Sequence, residues 1–154
     1  MRPVHFSCTS LRFNETDTPG NGGDVALTFE IDSRLGLVLI TRSHNPTFDE
    51  WRMFMEGLLT DSQFRPGLAI VEDRRSDRVV PTRNEVEIAS AWIRTNATRL
   101  GQNRWAVVLD PTSLAAYGMV RVGEFLTDRS GVSLRAFTSI ETARAWASGV
   151  ALAE

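Results

Sequence analysis

The hydrophobic positions between residues 25 and 40 predict two adjacent β-strands. Apolar and polar side chains alternate over 25–31, which is the pattern of a strand with one buried face. A polar turn at 32–34 leads into a nearly continuous apolar run over 35–40. Because the link between the two segments is so short, we expect them to pair as an antiparallel hairpin.

The remainder of the chain alternates between helical and strand patterns. A helix is predicted at 51–59, where apolar residues recur at helical spacing after a capping box formed by Thr47 and Glu50. Further strands are predicted at 68–71, 105–109 and 134–137, and further helices at 82–100, at 113–127 and from a capping box of Thr138 and Glu141 onward. The order ββαβαβαβα predicts a single α/β domain with a mixed, mostly parallel sheet that begins with an antiparallel hairpin.

The first residues of the chain do not share this pattern. Residues 14–23 are polar and rich in turn formers, and only scattered apolar residues precede them. We expect residues 1–23 to be a leader that is either partly flexible or an edge strand, and residues 24–154 to form the domain.

Charge and cysteine content exclude several classes of function. The formal net charge of -2 and the pI near 5.7 give no reason to expect nucleic acid as a partner. Cys8 is the only cysteine, so a disulfide framework and a cysteine-based zinc site are excluded. No apolar run approaches the length of a membrane span, and the first residues lack a signal-peptide core. We therefore expect a cytoplasmic protein without membrane insertion.

All 17 basic residues are arginines. Planar guanidinium groups suit a protein that binds carboxylates or phosphates, but the spread of the arginines along the whole chain favours arginine-rich codon usage as the explanation. The absence of lysine excludes Schiff-base chemistry and a phosphate-binding P-loop.

The sequence offers few residues suited to catalysis. The two histidines, His5 and His44, do not stand in a metal-ligand spacing, and neither a G-x-S-x-G nor a G-x-G-x-x-G motif is present. We predict no catalytic residue, no metal site and no cofactor. An enzyme ranks third among the hypotheses, with His44 and Asp73 as its one nominated pair.

The segment after the strand at 68–71 lies where α/β proteins bind ligands, beyond the carboxyl end of a strand. Candidates for a ligand or partner surface are therefore Asp73, Arg74 and Arg75, where the arginines would bind an anion. Residues 72–78 carry three acidic and three basic side chains. The favoured interpretation is accordingly a solvated loop neutralised by its own ion pairs.

Two helices carry apolar stripes that need a partner. On the helix at 113–127 the stripe contains Tyr117, Gly118 and Arg121. Either Arg121 forms a structural salt bridge, or Tyr117 and Arg121 line a ligand or partner surface. A glycine inside this helix indicates that another part of the backbone approaches closely at Gly118. On the helix at 82–100, Ile88 and Trp92 lie outside the main stripe. Such a second ridge indicates burial under another element or under a partner's helix, and we favour a homodimer contact.

Two segments resemble a known family. The run R-W-A-V-V at 104–108 is followed by Y-G-M-V-R at 117–121, and residues 136–146 read A-F-T-S-I-E-T-A-R-A-W. These resemble the "R-x-A-V-V … Y-G-M-x-R" and "V-F-R-D-x-E-E-A-x-x-W" motifs of the bacterial SpoIIAA-like branch of the STAS domains (sulphate transporter and anti-sigma factor antagonist). The resemblance covers about residues 25–147.

The resemblance implies a non-enzymatic switch that binds partner proteins and, in some members, nucleotides. Some STAS domains dock after phosphorylation of a serine in a D-S-S-G or D-S-G motif that opens the second helix. Here V-P-T-R-N stands at 80–84, so Thr82 is the nearest phosphoacceptor candidate, and a role as helix N-cap is sufficient to explain it. The similarity of this branch to CRAL-TRIO domains in fold implies a lipid-like ligand as an alternative.

We therefore expect a non-catalytic regulatory or protein-interaction module of STAS-like type, homodimeric and with an unknown protein partner. The alternative is a binding module for a small hydrophobic or anionic ligand. Such a module needs an apolar pocket between helices, with a few polar groups such as Tyr117 and Arg121 at its mouth.

Overall fold

A computed structural model describes residues 9–10, 27–43, 46–77 and 79–149 of the chain. The strands in these residues are β1 (Thr9–Ser10), β2 (Leu27–Asp32), β3 (Leu37–Arg42), β4 (Ala69–Asp73), β5 (Asn103–Val108) and β6 (Val132–Phe137). The helices are α1 (Phe48–Leu59), α2 (Arg83–Thr95), α3 (Ala97–Leu100), α4 (Leu114–Thr127) and α5 (Ile140–Ser148).

The strands form one mixed sheet in the order in which they follow along the chain. β1, β2 and β3 are antiparallel neighbours, whereas β3, β4, β5 and β6 are parallel. The predicted hairpin is the β2–β3 pair, in which Leu27 lies opposite Arg42 and Asp32 opposite Leu37. The prediction of a mostly parallel α/β sheet that begins with a hairpin is therefore confirmed.

The structure adds two short elements to the predicted order. β1 lies inside the segment expected to be a leader, and it pairs with Thr28 and Phe29 at the edge of the sheet. α3 follows a break at Asn96, so the single helix predicted over 82–100 is in fact two.

Side chains of the parallel strands alternate between two apolar layers. On one face, residues such as Val38, Ile70 and Val107 pack against α1, α2 and α4. On the other face, residues such as Val71 and Val108 pack against α5. The connections β3–α1–β4, β4–α2–β5 and β5–α4–β6 each join neighbouring parallel strands and run in the same direction across the sheet. Because such connections share one handedness, α1, α2 and α4 lie on the same side of the sheet, which we call the three-helix face.

Tryptophans fill the centre of the three-helix face. The ring of Trp51 on α1 meets the edge of the Trp92 ring at a centroid distance of 5.0 Å and stacks near Trp105 of β5 at 6.4 Å. Trp92 is only 9% exposed. The expectation that Trp92 is a dimer contact is therefore wrong, because Trp51 of α1 covers its ring.

The capping boxes predicted for α1 and α2 are both present. The Thr47 and Thr82 side chains accept hydrogen bonds from the backbone N–H groups of Glu50 and Glu85, whose carboxylates accept in return. For α5 the predicted cap at Thr138 is wrong by one residue. The side chain of Ser139 caps this helix by accepting a hydrogen bond from the N–H of Thr142.

Candidate functional site

A cavity of about 120 Å³ lies between the sheet and the helices of the three-helix face. Its lining comes from the carboxyl ends of β3 and β4, from β5 and β6, from the N-terminal turn of α1, from most of the length of α2 and from the middle of α4. This is the edge at which open α/β sheets bind ligands, because strand ends and helix N-termini meet there.

Most of the cavity wall is apolar. Trp51 and Trp105 form one side with roughly parallel rings, at an interplanar angle of 27°. The opposite side comes from α2 and α4 and includes Val86, Ile93 and Val120. Ser90 adds a hydroxyl to this wall from the buried side of α2.

Four charged residues form a buried charge cluster beside the cavity: Arg42, Glu72, Arg74 and Asp77. Their side chains are 10%, 6%, 13% and 1% exposed, respectively. Arg42, Glu72 and Arg74 also line the cavity. Two positive and two negative groups balance one another, which is what allows ionised side chains to remain buried.

Asp77 binds both arginines of this cluster. Its Oδ2 lies 2.9 Å from Nε of Arg42 and 3.5 Å from Nη2 of Arg74. Burial lowers the pKa of Arg42 below its ordinary value, and the neighbouring charge of Arg74 lowers this pKa further, whereas Glu72 and Asp77 raise it. The carboxylates thus offset part of the desolvation cost of the guanidinium.

Glu72 and Arg74 keep bonding capacity that the described residues do not use. Oε2 of Glu72 accepts a hydrogen bond from the Trp105 indole N–H at 3.1 Å, whereas Oε1 is 3.8 Å from Arg42, too far for a hydrogen bond. Nε of Arg74 has no hydrogen-bond partner among the residues that the structure describes. Beside the apolar cavity, the described residues therefore leave the Nε donor of Arg74 without a partner, and Oε1 of Glu72 can accept a further hydrogen bond.

Sequence reasoning missed Arg42 as a site residue and treated Glu72 only as part of a neutral loop. Both strands end two residues later than predicted, so that β3 ends at Arg42 and β4 at Asp73. Each charged side chain follows an inward-facing residue by two positions: Arg42 follows Ile40, and Glu72 follows Ile70. That two-residue spacing is the signal that places both on the three-helix face.

The other predicted loop residues neutralise each other at the surface. The guanidinium of Arg75 forms two hydrogen bonds with the carboxylate of Asp73, at 2.7 and 2.9 Å. These hydrogen bonds hold the pKa of Asp73 below its ordinary value. The favoured interpretation of locally paired charges therefore describes Asp73 and Arg75, whereas Arg74 turns inward to the buried charge cluster.

Tyr117 and Arg121 do not line the cavity. Tyr117 is exposed, and Arg121 forms an ion pair at 2.9 Å with Glu124 on its own helix. A Cβ atom on Gly118 would meet nothing within 4 Å, so the close backbone approach expected there is absent from the described part of the chain. The stripe containing all three faces solvent, with Leu114 81% and Phe125 79% exposed at its two ends.

Two further predicted residues lie on the surface of α2. Thr82 is exposed and serves as the N-cap of the helix. Ile88 is 38% exposed, so it is the part of the predicted dimer ridge that remains accessible.

Several residues considered in the sequence lie outside the described ranges: His5, Cys8, His44 and Arg78. Within the described ranges, no group of three or more histidine, cysteine, aspartate or glutamate residues is arranged to hold a metal ion. In the same residues, none of the helices combines the length and the apolar character that crossing a membrane requires.

No protein-family model, curated protein or solved structure matches this chain.

Proposed function

We propose that this domain is a non-catalytic module that binds a small molecule in the cavity of the three-helix face. The observation that carries the proposal is an apolar cavity beside two buried charged groups, Glu72 and Arg74, with unused hydrogen-bonding capacity. An apolar wall supplies affinity, and a few convergent polar groups fix the orientation of a ligand.

The composition of the cavity wall favours binding over catalysis. The described lining residues include no histidine, cysteine or tyrosine, so the Ser90 hydroxyl has none of these as a partner there. The two acidic groups of the buried charge cluster face arginines, which suits charge balance rather than proton transfer to a substrate.

The ligand proposal predicts that benzyl alcohol binds to the purified full-length chain. We expect the Trp105 indole N–H resonance to shift during titration followed by NMR, because this group borders the cavity and donates to Glu72. At ten times the dissociation constant, binding adds about 1.4 kcal/mol to the free energy of unfolding. For a chain of this length, that raises the melting temperature by about 3–5 °C.

A filled cavity provides the control for this experiment. Ala89 lines the cavity, so Ala89→Leu places three added carbon atoms in it and is expected to abolish the shift of the Trp105 resonance. Ala115→Leu makes the same change on the exposed surface of α4 and should leave binding intact. Equal binding by wild type and Ala89→Leu would contradict the proposal.

A second candidate function is protein interaction by a STAS-type domain, with a second copy of the chain as the partner. The antiparallel hairpin followed by serial strand–helix units supports the STAS assignment. The exposed stripe of α4 supports the interaction, because apolar side chains as exposed as Leu114 and Phe125 on one helix face mark a contact site.

The exposed stripe of α4 can pair with the same stripe of a second copy when the two helices run antiparallel. Leu114, Gly118, Arg121 and Phe125 are separated by four, three and four residues, so the spacing is the same in both directions. In an antiparallel pair of α4 helices, Leu114 would face Phe125 of a second copy, and Arg121 would lie over the open Gly118. A patch that matches itself under a two-fold axis is what a homodimer needs.

A further inference from the structure

We infer that the ligand of the cavity is a neutral, single-ring molecule whose polar head both donates and accepts a hydrogen bond, as a carboxamide or a lactam does. The inference rests on the proposed binding function and adds the chemical class of the ligand. Three independent properties of the site support it: its volume, its charge balance and its unused hydrogen-bonding groups.

The volume admits one ring. The cavity measures about 120 Å³ and is partly open, so its enclosed part is slightly smaller than the apolar cavities of roughly 150 Å³ that accommodate a benzene molecule. The rings of Trp51 and Trp105 lie within 27° of parallel on one side. Aromatic side chains favour offset or edge contacts with other rings, so a flat ring suits this wall better than a branched alkyl group.

The charge balance favours a neutral ligand. The buried charge cluster contains two guanidinium and two carboxylate groups, with Arg42 paired to Glu72 and Asp77, and Arg74 paired to Asp77. An ionised ligand would add a charge without a counter-charge next to this buried cluster, which is unfavourable. A neutral head leaves the balance of the cluster unchanged.

The unused groups specify the head of the ligand. Oε1 of Glu72 lies 3.8 Å from Arg42 and can accept a hydrogen bond from a donor on the ligand. The guanidinium of Arg74 meets Asp77 at 3.5 Å, and its Nε has no partner in the described part of the chain, so this side chain requires an acceptor. A carboxamide meets both needs, because its N–H donates to Glu72 and its C=O accepts from Arg74.

The test compares four probes of nearly equal shape: benzamide, benzoate, benzamidinium and toluene. Each is titrated into the full-length protein, and the dissociation constant is measured from the shift of the Trp105 indole N–H resonance. We expect benzamide to bind about tenfold more tightly than each of the other three, since the hydrogen bonds of a satisfied head contribute about one decade of affinity.

Two variants locate the effect. Glu72→Gln removes the charge and half of the acceptor capacity next to the cavity, and it should reduce the preference for benzamide over benzoate to about threefold or less. Glu124→Gln is the matched control, because Glu124 pairs with Arg121 on α4 away from the cavity, and it should leave the preference unchanged. If Glu72→Gln does not fold, the ranking of the four probes on the wild-type protein decides the question.

The outcomes separate this inference from the proposed function. If benzoate, benzamidinium or toluene bound as tightly as benzamide or more tightly, the ligand class would be wrong although the cavity binds a ring. If none of the four probes shifted the Trp105 resonance, the proposed binding function itself would be refuted.

Discussion

At position 101 the backbone has a φ of 74° and a ψ of 180°, a combination that only glycine adopts readily. A Cβ atom there would lie 2.4 Å from the backbone nitrogen of Gly67 and 2.9 Å from the carbonyl carbon of Pro66. That nitrogen donates a hydrogen bond to the carbonyl of Leu100 at 2.7 Å, so the two segments have no room to separate. We predict that Gly101→Ala lowers the free energy of unfolding by about 3 kcal/mol or more, as measured by urea denaturation.

Gly118 provides the opposite case for the same measurement. It lies inside α4, and a Cβ atom there would meet nothing within 4 Å. Gly118→Ala is therefore expected to raise the free energy of unfolding of the monomer by about 0.5–1 kcal/mol, because alanine is the better helix former. A loss of stability in Gly118→Ala similar to that in Gly101→Ala would contradict this account of both positions.

At the scale of the element, α4 buries its less hydrophobic side. The residues that face the core are Ala116, Val120, Gly123 and Thr127, whereas Leu114 and Phe125 face solvent. Small residues are needed on the inner side because α2 and β6 approach closely: a Cβ atom on Gly123 would lie 3.1 Å from Leu134 and 3.6 Å from Val86. Available space therefore determines the orientation of α4, and helical periodicity alone does not.

The N-terminus of α2 depends on its cap. The Thr82 hydroxyl accepts a hydrogen bond from the N–H of Glu85, and the Glu85 carboxylate accepts one from the N–H of Thr82. We predict that Thr82→Ala lowers the free energy of unfolding by about 1 kcal/mol. Thr82→Ser and Thr82→Asp should retain most of this contribution of the cap, because serine and aspartate are both good N-cap residues. Urea denaturation checks this, and wild-type stability in Thr82→Ala would show that the cap does not contribute.

At the scale of the whole molecule, the exposed stripe of α4 predicts a weak homodimer. The helix is about 21 Å long, so one helix pair buries much less than the roughly 800 Å² per partner of a standard stable interface. We expect a dissociation constant of about 10–100 µM, measured by sedimentation velocity over a range of concentrations. Phe125→Glu should weaken the dimer at least about tenfold, since it places a charge in the apolar contact.

Leu35→Glu is the matched control for the dimer. Leu35 is 56% exposed in the turn between β2 and β3, away from α4, and the change should leave the dissociation constant as it is. A monomer at every concentration would refute the second candidate function. Dissociation by Ile88→Glu alone would move the interface to α2.

The sequence by itself determined the class and the succession of the elements. Alternating and helical periods depend on neighbouring residues, so the hairpin, most strand–helix units and the caps at Thr47 and Thr82 were predictable from local pattern and turn chemistry. The cap of α5 at Ser139 was missed by one residue because Glu141 stands three residues after Thr138 and completes the sequence pattern of a capping box there.

Only the tertiary structure decided what the elements bring together. Arg42, Glu72 and Asp77 lie on different segments, and their ion pairs arise because β3 and β4 are adjacent in the sheet and end at the same edge. The same holds for Trp92, whose burial depends on Trp51 from another helix. A sequence pattern gives the face of one element, whereas a binding site depends on which faces meet, and that is set by long-range packing.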